Sequence, residues 1–246
     1  MEIHYGPPKH DKHIKAYLLE FLMMFLAVSL GFLAENLREN ISERSKENEY
    51  INSFIRNLEE DTVQIGETIR ENRTKEDNLE KLMLLSISDF KDQPTRKLFY
   101  TYCRNAIGYY STFKSNDATM LQLVNSGGLR LIRKAHAADS IAKYDVTLKG
   151  IYGAESIYIT AVNTGILASQ EIMIASIYFD ERYYKDGDFT EKLLPMLTTD
   201  PQKLQILFNR VNYEISATNN YINNLQIRLP FMRRLIEYLK KEYKPD

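Results

Sequence analysis

Two adjacent glycines in the middle of the chain are the first candidates for chemistry. The stretch LVNSGGLRLIRK places Gly127 and Gly128 between two segments that both have the period of an amphipathic helix. Loops that cradle phosphates follow G-x-x-x-x-G-K-[ST], or G-x-G-x-x-G after a strand, and neither pattern is present here. Because glycine adopts left-handed backbone angles at little steric cost, Gly127 is interpreted as the C-terminal cap of a helix.

The histidines do not form a metal-binding or catalytic pattern. His4, His10 and His13 gather near the N-terminus and could bind Zn²⁺ or Ni²⁺, but no cysteine or acidic residue has ligand spacing to them. His136 is the only other histidine, so the paired Glu-x-x-His motifs of a di-iron bundle cannot be built. No nucleophile elbow lies near it. The sequence therefore predicts no enzyme, no catalytic residue, no metal and no cofactor, although a site made only of carboxylates or lysines stays open.

The composition excludes some classes of partner. The chain has 246 residues, 44% of them hydrophobic and 26% charged, as expected for a folded protein. Its formal net charge of -1 supplies no field that would attract nucleic acid, so no nucleic-acid partner is predicted. Cys103 is the only cysteine, which excludes an internal disulfide and favours a small apolar role on a helix.

An apolar segment near the N-terminus predicts a transmembrane helix. Residues 16–34, AYLLEFLMMFLAVSLGFLA, contain one charged residue and at about 1.5 Å per residue reach across most of a hydrocarbon core of roughly 30 Å. A cleaved signal peptide is the main alternative, but the apolar stretch is long for one and lacks a small-residue cleavage site. The predicted organisation is a basic tail over residues 1–15, a transmembrane helix over residues 16–36 and an extramembrane helical bundle over residues 37–246.

The charges that flank the segment predict an orientation. Lys15 adjoins the span directly, whereas Arg38 lies about a turn beyond its end. The positive-inside rule then places the N-terminus in the cytoplasm and the C-terminal domain in the periplasm, with the span in a bacterial inner membrane.

Four residues inside the span are candidates for function. Glu20 is a carboxylate in the membrane, which is either functional or directed to the nearby headgroups. Ala27 and Gly31 have the small-xxx-small spacing that permits close approach of a second membrane helix, and Ala34 extends the same face. The predicted partners are the lipid bilayer and either a second copy of the chain or another envelope membrane protein.

The rest of the chain predicts an all-α fold. The span continues into one long helix, over residues 15–86, that packs in an antiparallel bundle, with a fray or hinge near Ser42 or Gly66. Further helices are predicted over residues 98–110, from the caps Ser115 and Asn116 to Gly127, over residues 135–178, and from Asp200-Pro201 with a kink at Pro230. The long helix carries a heptad seam: Ile51, Ile55, Leu58, Thr62, Ile65, Ile69, Asn72, Glu76, Leu79 and Met83.

The anchor and the glycine corner resemble an uncharacterised family of single-span membrane proteins from Bacteroidota, a domain of unknown function. The segments YLLEFLMMFLAVSLGFLAENLRE and ERSKENEYINSFIRNLEEDT carry the clearest similarity, which extends along most of the chain. The family pattern has an early Glu, small residues and a closing Asn in the span, matched by Glu20, Ala27, Gly31 and Asn36. Its helix-corner motif is matched by Ser126, Gly127, Leu129 and Ile132. Gly128 replaces an Asn of that motif, and Leu37 replaces a frequent Trp.

These observations favour one function and leave an alternative. The favoured hypothesis is a membrane-anchored helical interaction or scaffold protein, or an accessory subunit, of the bacterial envelope. The alternative is a membrane-anchored sensor that binds a small ligand within the bundle. An enzyme acting at the membrane surface is a weaker third hypothesis, and the resemblance implies no activity.

Overall fold

The computed structural model describes the backbone of residues 11–125 and 127–243, and side chains from residue 14 onward. The chain divides into two compact units, Met1–Tyr50 and Ile51–Asp246. Ser126 of the helix-corner motif and the tail histidines His4 and His10 lie outside the described residues, as does the side chain of His13.

Helices build nearly all of the described chain, so the all-α prediction is confirmed. The five α-helices are α1 Asp11–Leu84, α2 Gln93–Ala106, α3 Ala118–Asn125, α4 Ala135–Gln170 and α5 Pro201–Glu242. Short 3-10 helices occupy Leu85–Ile87, Gly128–Leu131 and Ala175–Phe179. The described residues contain one small hairpin, formed by strands β1 Tyr184–Lys185 and β2 Asp188–Phe189.

The helix starts follow from local capping chemistry. The Asp92 side chain accepts a hydrogen bond from the Thr95 amide and begins α2. Asp200 accepts from the amides of Gln202 and Lys203, and Pro201 occupies the first turn of α5 as predicted. α1 is continuous through Ser42 and Gly66, and α5 is continuous through Pro230.

Three of the predicted helix boundaries are wrong. α2 ends at Ala106 instead of near residue 110, because Ile107 has an extended backbone. α4 ends at Gln170 instead of near residue 178, because the chain turns there and Met173 forms a β-bridge with Met196. α3 begins at Ala118, and the residues predicted as its caps have other partners. Ser115 hydrogen-bonds to the Tyr152 hydroxyl, and the Asn116 side chain donates to Glu60.

The predicted loop FDERYYKDGD contains the hairpin. Asp186 and Gly187 both have positive φ, of 51° and 90°, and form the two-residue turn between β1 and β2. An Asp-Gly pair is favoured in such turns because its backbone twist matches that of the strands. The hairpin packs Phe189 against Tyr100 and Tyr178 in the core.

The buried face of α1 within Ile51–Asp246 differs from the predicted seam in one of its two columns. The first column, Ile51, Leu58, Ile65, Asn72 and Leu79, is fully buried as predicted. The second buried column is displaced by one residue and consists of Phe54, Asp61, Thr68, Lys75 and Leu82. Of the residues predicted for that column, Ile55 and Glu76 are buried as predicted, whereas Thr62, Ile69 and Met83 are only half-buried. Three polar or charged residues of this second column, together with Asn72 of the first, therefore lie in the core.

Contacts between helices define the topology of this second unit. α4 runs parallel to α1, since Asp61 contacts Tyr144 and Asn72 contacts Tyr158 further along both helices. α5 runs antiparallel to α1, since Lys75 contacts Glu214 whereas Glu59 contacts Lys240. The chain returns along α1 through α2, the segment after α2, and α3. This return makes it possible for α1 and α4 to run parallel.

Candidate functional site

The predicted membrane residues lie on an uncovered part of α1. Glu20, Ala27, Gly31 and Ala34 are all exposed within Met1–Tyr50. A Cβ atom built at Gly31 would meet nothing within 4 Å. The apolar side chains around them are exposed as well, from Ile14 to Leu37. The small-residue face is therefore free to contact another helix.

The glycine corner has a structural role. Gly127 has φ 71° and ψ 15°, the left-handed conformation that a helix cap requires. Its carbonyl oxygen accepts hydrogen bonds from the backbone amide and from Nε of Arg130, at 3.2 and 3.3 Å. Gly128 begins the next 3-10 turn and is buried, as is Ile132, while Leu129 is half-buried. The corner directs the chain into α4.

An ion pair lies in the centre of the helical unit. Lys75 Nζ on α1 is 2.8 Å from Glu214 Oε1 on α5, and both side chains are 0% exposed. Nζ also donates to the Tyr109 carbonyl oxygen at 2.6 Å and lies 3.4 Å from the Tyr158 hydroxyl. Two of the three protons of the ammonium group therefore have hydrogen-bond acceptors in the protein, and the Glu214 carboxylate supplies the counter-charge.

The carboxylate of Glu214 has fewer hydrogen-bond partners than the ammonium of Lys75. Oε2 has no hydrogen-bond partner among the described residues, and Oε1 is near Nζ without the angles of a hydrogen bond. The attraction between Lys75 and Glu214 is thus chiefly ionic. Oε2 faces Gly165 of α4, where an added Cβ would lie 2.4 Å from it. Only glycine leaves room for the carboxylate at this crossing of α4 and α5.

Burial acts against both charges. Desolvation raises the pKa of Glu214 to about 6 in spite of the nearby Lys75. Desolvation likewise lowers the pKa of Lys75 from its usual value, against the opposing attraction of Glu214. For each group, the free energy lost on removal from water therefore exceeds the stabilisation that its partner supplies. This balance is common for buried ion pairs.

Tyrosines and one asparagine surround the ion pair. The Tyr158 hydroxyl donates to Asn72 Oδ1 at 2.6 Å, and Asn72 Nδ2 donates to the Ser111 carbonyl oxygen at 2.9 Å. The ring of Tyr158 is stacked on that of Tyr221, with centroids 5.0 Å apart. The Tyr221 hydroxyl in turn donates to Glu155 Oε2 at 3.0 Å. This network joins α1, α4, α5 and the segment after α2.

A second buried acid, Asp61, lies on α1 in the same column as Lys75. Asp61 accepts hydrogen bonds from the Tyr144 hydroxyl and from the Asn116 amide, the latter at 2.7 Å. Desolvation raises the pKa of Asp61. Asp61 and Lys75 were missed by the sequence analysis because their column is apolar only at its ends, Phe54 and Leu82. The heptad spacing of those two apolar residues is the signal that could have identified the column.

An open pocket of 440 Å³ reaches the buried lysine from the surface. It lies between α1, α2 and the segment after α2, all within the second unit. The residues that line it carry polar or charged groups: Glu71, Thr74, Lys75, Asn78, Arg104, Asn105 and Tyr109. Its volume is in the range of small-molecule sites.

The raised pKa of Glu214 predicts a pH dependence of stability. Its folded pKa of about 6 exceeds the unfolded value of 4.5, so the folded state binds the proton more tightly. The resulting contribution to stability is fully present below pH 4.5 and is lost as pH rises through 6. We expect the stability of the wild type relative to Glu214→Gln to fall by about 2 kcal/mol between these limits.

Urea unfolding of both proteins from pH 4 to pH 7 measures this difference. Asp61 titrates in both proteins and cancels in the comparison. Glu67→Gln, which changes an exposed carboxylate of α1, is the control and is expected to show no such trend. A difference between wild type and Glu214→Gln that stays constant or grows with pH would contradict the prediction.

Within the residues that the structure describes, fold and site together define a helical bundle with one helix, near the N-terminus, that is long and apolar enough to cross a membrane. No residue in the most apolar 18-residue stretch of that helix is buried. No family model matches the chain, and no curated protein or solved structure matches it either. The resemblance to the Bacteroidota family therefore stays a prediction.

Proposed function

We propose that the protein is a membrane-anchored helical interaction protein, a scaffold or accessory subunit of the bacterial envelope. The observation that carries the proposal is the exposure of every large apolar side chain of α1 from Ile14 to Leu37. A continuous apolar surface of this length is unfavourable in water and matches the hydrocarbon core of a bilayer. In the proposed arrangement the N-terminus is cytoplasmic and the bundle is periplasmic. Catalysis is not part of the proposal.

Membrane extraction tests the anchor. Full-length protein in membranes of its host is washed with alkaline carbonate, which removes peripheral proteins and leaves spanning ones. We expect the protein to stay in the membrane pellet at its full mass. Release into the wash, or loss of the first residues by cleavage, would contradict the anchor.

The partner surface of the anchor is the face of Ala27, Gly31 and Ala34. Small residues at this spacing let two helix backbones approach closely, and dispersion contacts then favour association. The proposed partner is a second copy of the chain. The heptad seam is not a second partner surface, because Leu58 and its neighbours in the first column are buried inside the bundle.

Gly31→Leu is expected to weaken association in the membrane about tenfold, a change of about 1.4 kcal/mol. A Cβ at this position meets nothing in the chain itself, so folding is expected to be unchanged. Energy transfer between labelled full-length chains in liposomes measures the association.

Ser29→Leu is the matched control for Gly31→Leu. Residue 29 lies about 200° around the helix from residue 31, so the same leucine side chain falls on another face. The control is expected to associate like the wild type. Equal association of both variants and the wild type would exclude the small-residue face as the interface.

The pocket above Lys75 favours a second candidate function, a sensor that binds a small ligand. The pocket ends at a fully buried ion pair that connects α1 with α4 and α5. A ligand that contacts the pocket walls would therefore act on the network that holds three helices together. Ligand-dependent thermal stability of the full chain is the expected signature.

A further inference from the structure

The pocket has two walls of different chemistry. Glu71, Thr74, Lys75 and Asn78 line it from α1, at the spacing that places residues on one face of a helix. Arg104 and Asn105 line it from α2, and Tyr109 lines it from the segment that follows. The exposed charges of opposite sign, Glu71 and Arg104, are thus supplied by different helices.

The wall from α2 presents a guanidinium group. Arg104 lies over the ring of Tyr184 at 4.1 Å and near that of Tyr178 at 5.3 Å. Both rings lie within cation–π distance of the guanidinium group, and its N–H groups form no hydrogen bond within the described part of the chain. No carboxylate forms an ion pair with Arg104 in residues 14–125 and 127–243. A planar guanidinium held in this way fits a carboxylate through two parallel hydrogen bonds.

The wall from α1 presents acceptors. Glu71 is exposed, and the bond that it receives from the Tyr109 hydroxyl is long, at 3.3 Å. The Asn78 side-chain nitrogen donates to the Thr74 carbonyl oxygen at 2.8 Å, which leaves the amide oxygen as an acceptor. A carboxylate and an amide oxygen on one helix face are suited to an ammonium group.

The lysine at the base of the pocket adds little to its charge. The ammonium of Lys75 is neutralised by Glu214 from the side of α5, and two of its protons already have acceptors. The pocket therefore offers one available cation, Arg104, and one available anion, Glu71.

We propose that this pocket binds a small zwitterion of the α-amino-acid class. The ligand's carboxylate contacts Arg104, its ammonium contacts Glu71 and Asn78, and its side chain lies against the half-exposed ring of Tyr109. This inference rests on the sensor candidate and assigns it a ligand class. Binding joins α1 to α2 through the ligand and leaves the ion pair of Lys75 intact.

A panel of probes tests the ligand class on the full-length protein in detergent. Thermal unfolding is measured with each of the twenty standard amino acids. For the amino acid that stabilises most, calorimetry then compares it with its analogue that lacks the amino group and its analogue that lacks the carboxylate. We expect each analogue to bind about 10- to 100-fold more weakly, because each loses one charge-assisted contact.

Two variants locate the binding site. Arg104→Gln and Glu71→Gln are each expected to weaken binding of the same amino acid about 10- to 100-fold. Arg233→Gln and Glu67→Gln change exposed residues of the same types outside the pocket and are expected to bind like the wild type.

The outcomes separate the ligand class from the sensor function. Binding of the carboxylate-only analogue as tightly as the amino acid would overturn the zwitterion and leave a sensor for anions. Absence of any stabilisation by the panel would also overturn the zwitterion. In that case, mass spectrometry of small molecules that co-purify with wild type and with Asn105→Trp, which fills the pocket, tests the sensor itself. A molecule bound to the wild type alone supports a sensor of another ligand class, and its absence rejects the sensor.

Discussion

Lys75→Met is expected to lower the free energy of unfolding by about 3–5 kcal/mol. The substitution leaves the Glu214 carboxylate buried with neither a counter-ion nor a hydrogen bond, since Oε2 already lacks a partner among the described residues. Glu214→Met is expected to have an effect of similar size, because it leaves the ammonium of Lys75 unpaired. Urea unfolding of the full chain in detergent measures both.

The double variant Lys75→Met/Glu214→Met tests the cause. Burial shifts the pKa of each partner toward its neutral form, so the charges are a net cost relative to apolar side chains of similar size. We therefore expect the double variant to be within about 1–2 kcal/mol of the wild type, much more stable than either single variant. A double variant as unstable as the sum of the two would show that the charges themselves stabilise the fold.

Lys81→Met is the matched control on the same helix. Lys81 pairs with Asp77 at 2.5 Å, but the two side chains are 47% and 59% exposed. Water screens such a pair, and its loss is expected to leave the free energy of unfolding nearly unchanged. Comparison of the two lysines therefore isolates the effect of burial.

Gly165→Ala is expected to destabilise the protein by about 1–3 kcal/mol. The new Cβ would lie 2.4 Å from Glu214 Oε2, and that carboxylate is held by Lys75 and has no exposed surface into which it could move. Either the ion pair lengthens or α4 and α5 separate. Thermal and urea unfolding would show the loss of stability.

Gly153 and Gly150 of the same helix are matched controls for Gly165. A Cβ at Gly153 meets nothing within 4 Å, so Gly153→Ala is expected to raise stability by about 0.5–1 kcal/mol through helix propensity alone. A Cβ at Gly150 meets the guanidinium end of Arg228 at 2.5 Å. That end of a long side chain can move, so Gly150→Ala is expected to be nearly neutral. If Gly165→Ala stabilised like Gly153→Ala, the close crossing at Glu214 would be wrong.

Local features of the sequence were sufficient to predict most of the secondary structure. Asp200 and Pro201 determine the start of α5, and Gly127 determines the turn after α3, because capping and left-handed angles depend on adjacent residues. The apolar run of residues 16–34 predicted a helix long and apolar enough to cross a membrane, because length and composition are local properties of the sequence. The first buried column of α1 was predicted for a similar reason, because its heptad period is local.

The tertiary structure alone decided which charged residues are buried. Lys75 and Asp61 have the appearance of surface residues on α1, and the apolar Ile55 and Ile69 favoured the neighbouring column instead. The choice between the columns depends on partners supplied by distant helices. Glu214 from α5 pairs with Lys75, Tyr144 from α4 donates to Asp61, and Gly165 leaves the space that the carboxylate occupies. A charged side chain can be buried only where such partners meet it, and a pattern along one helix does not contain that information.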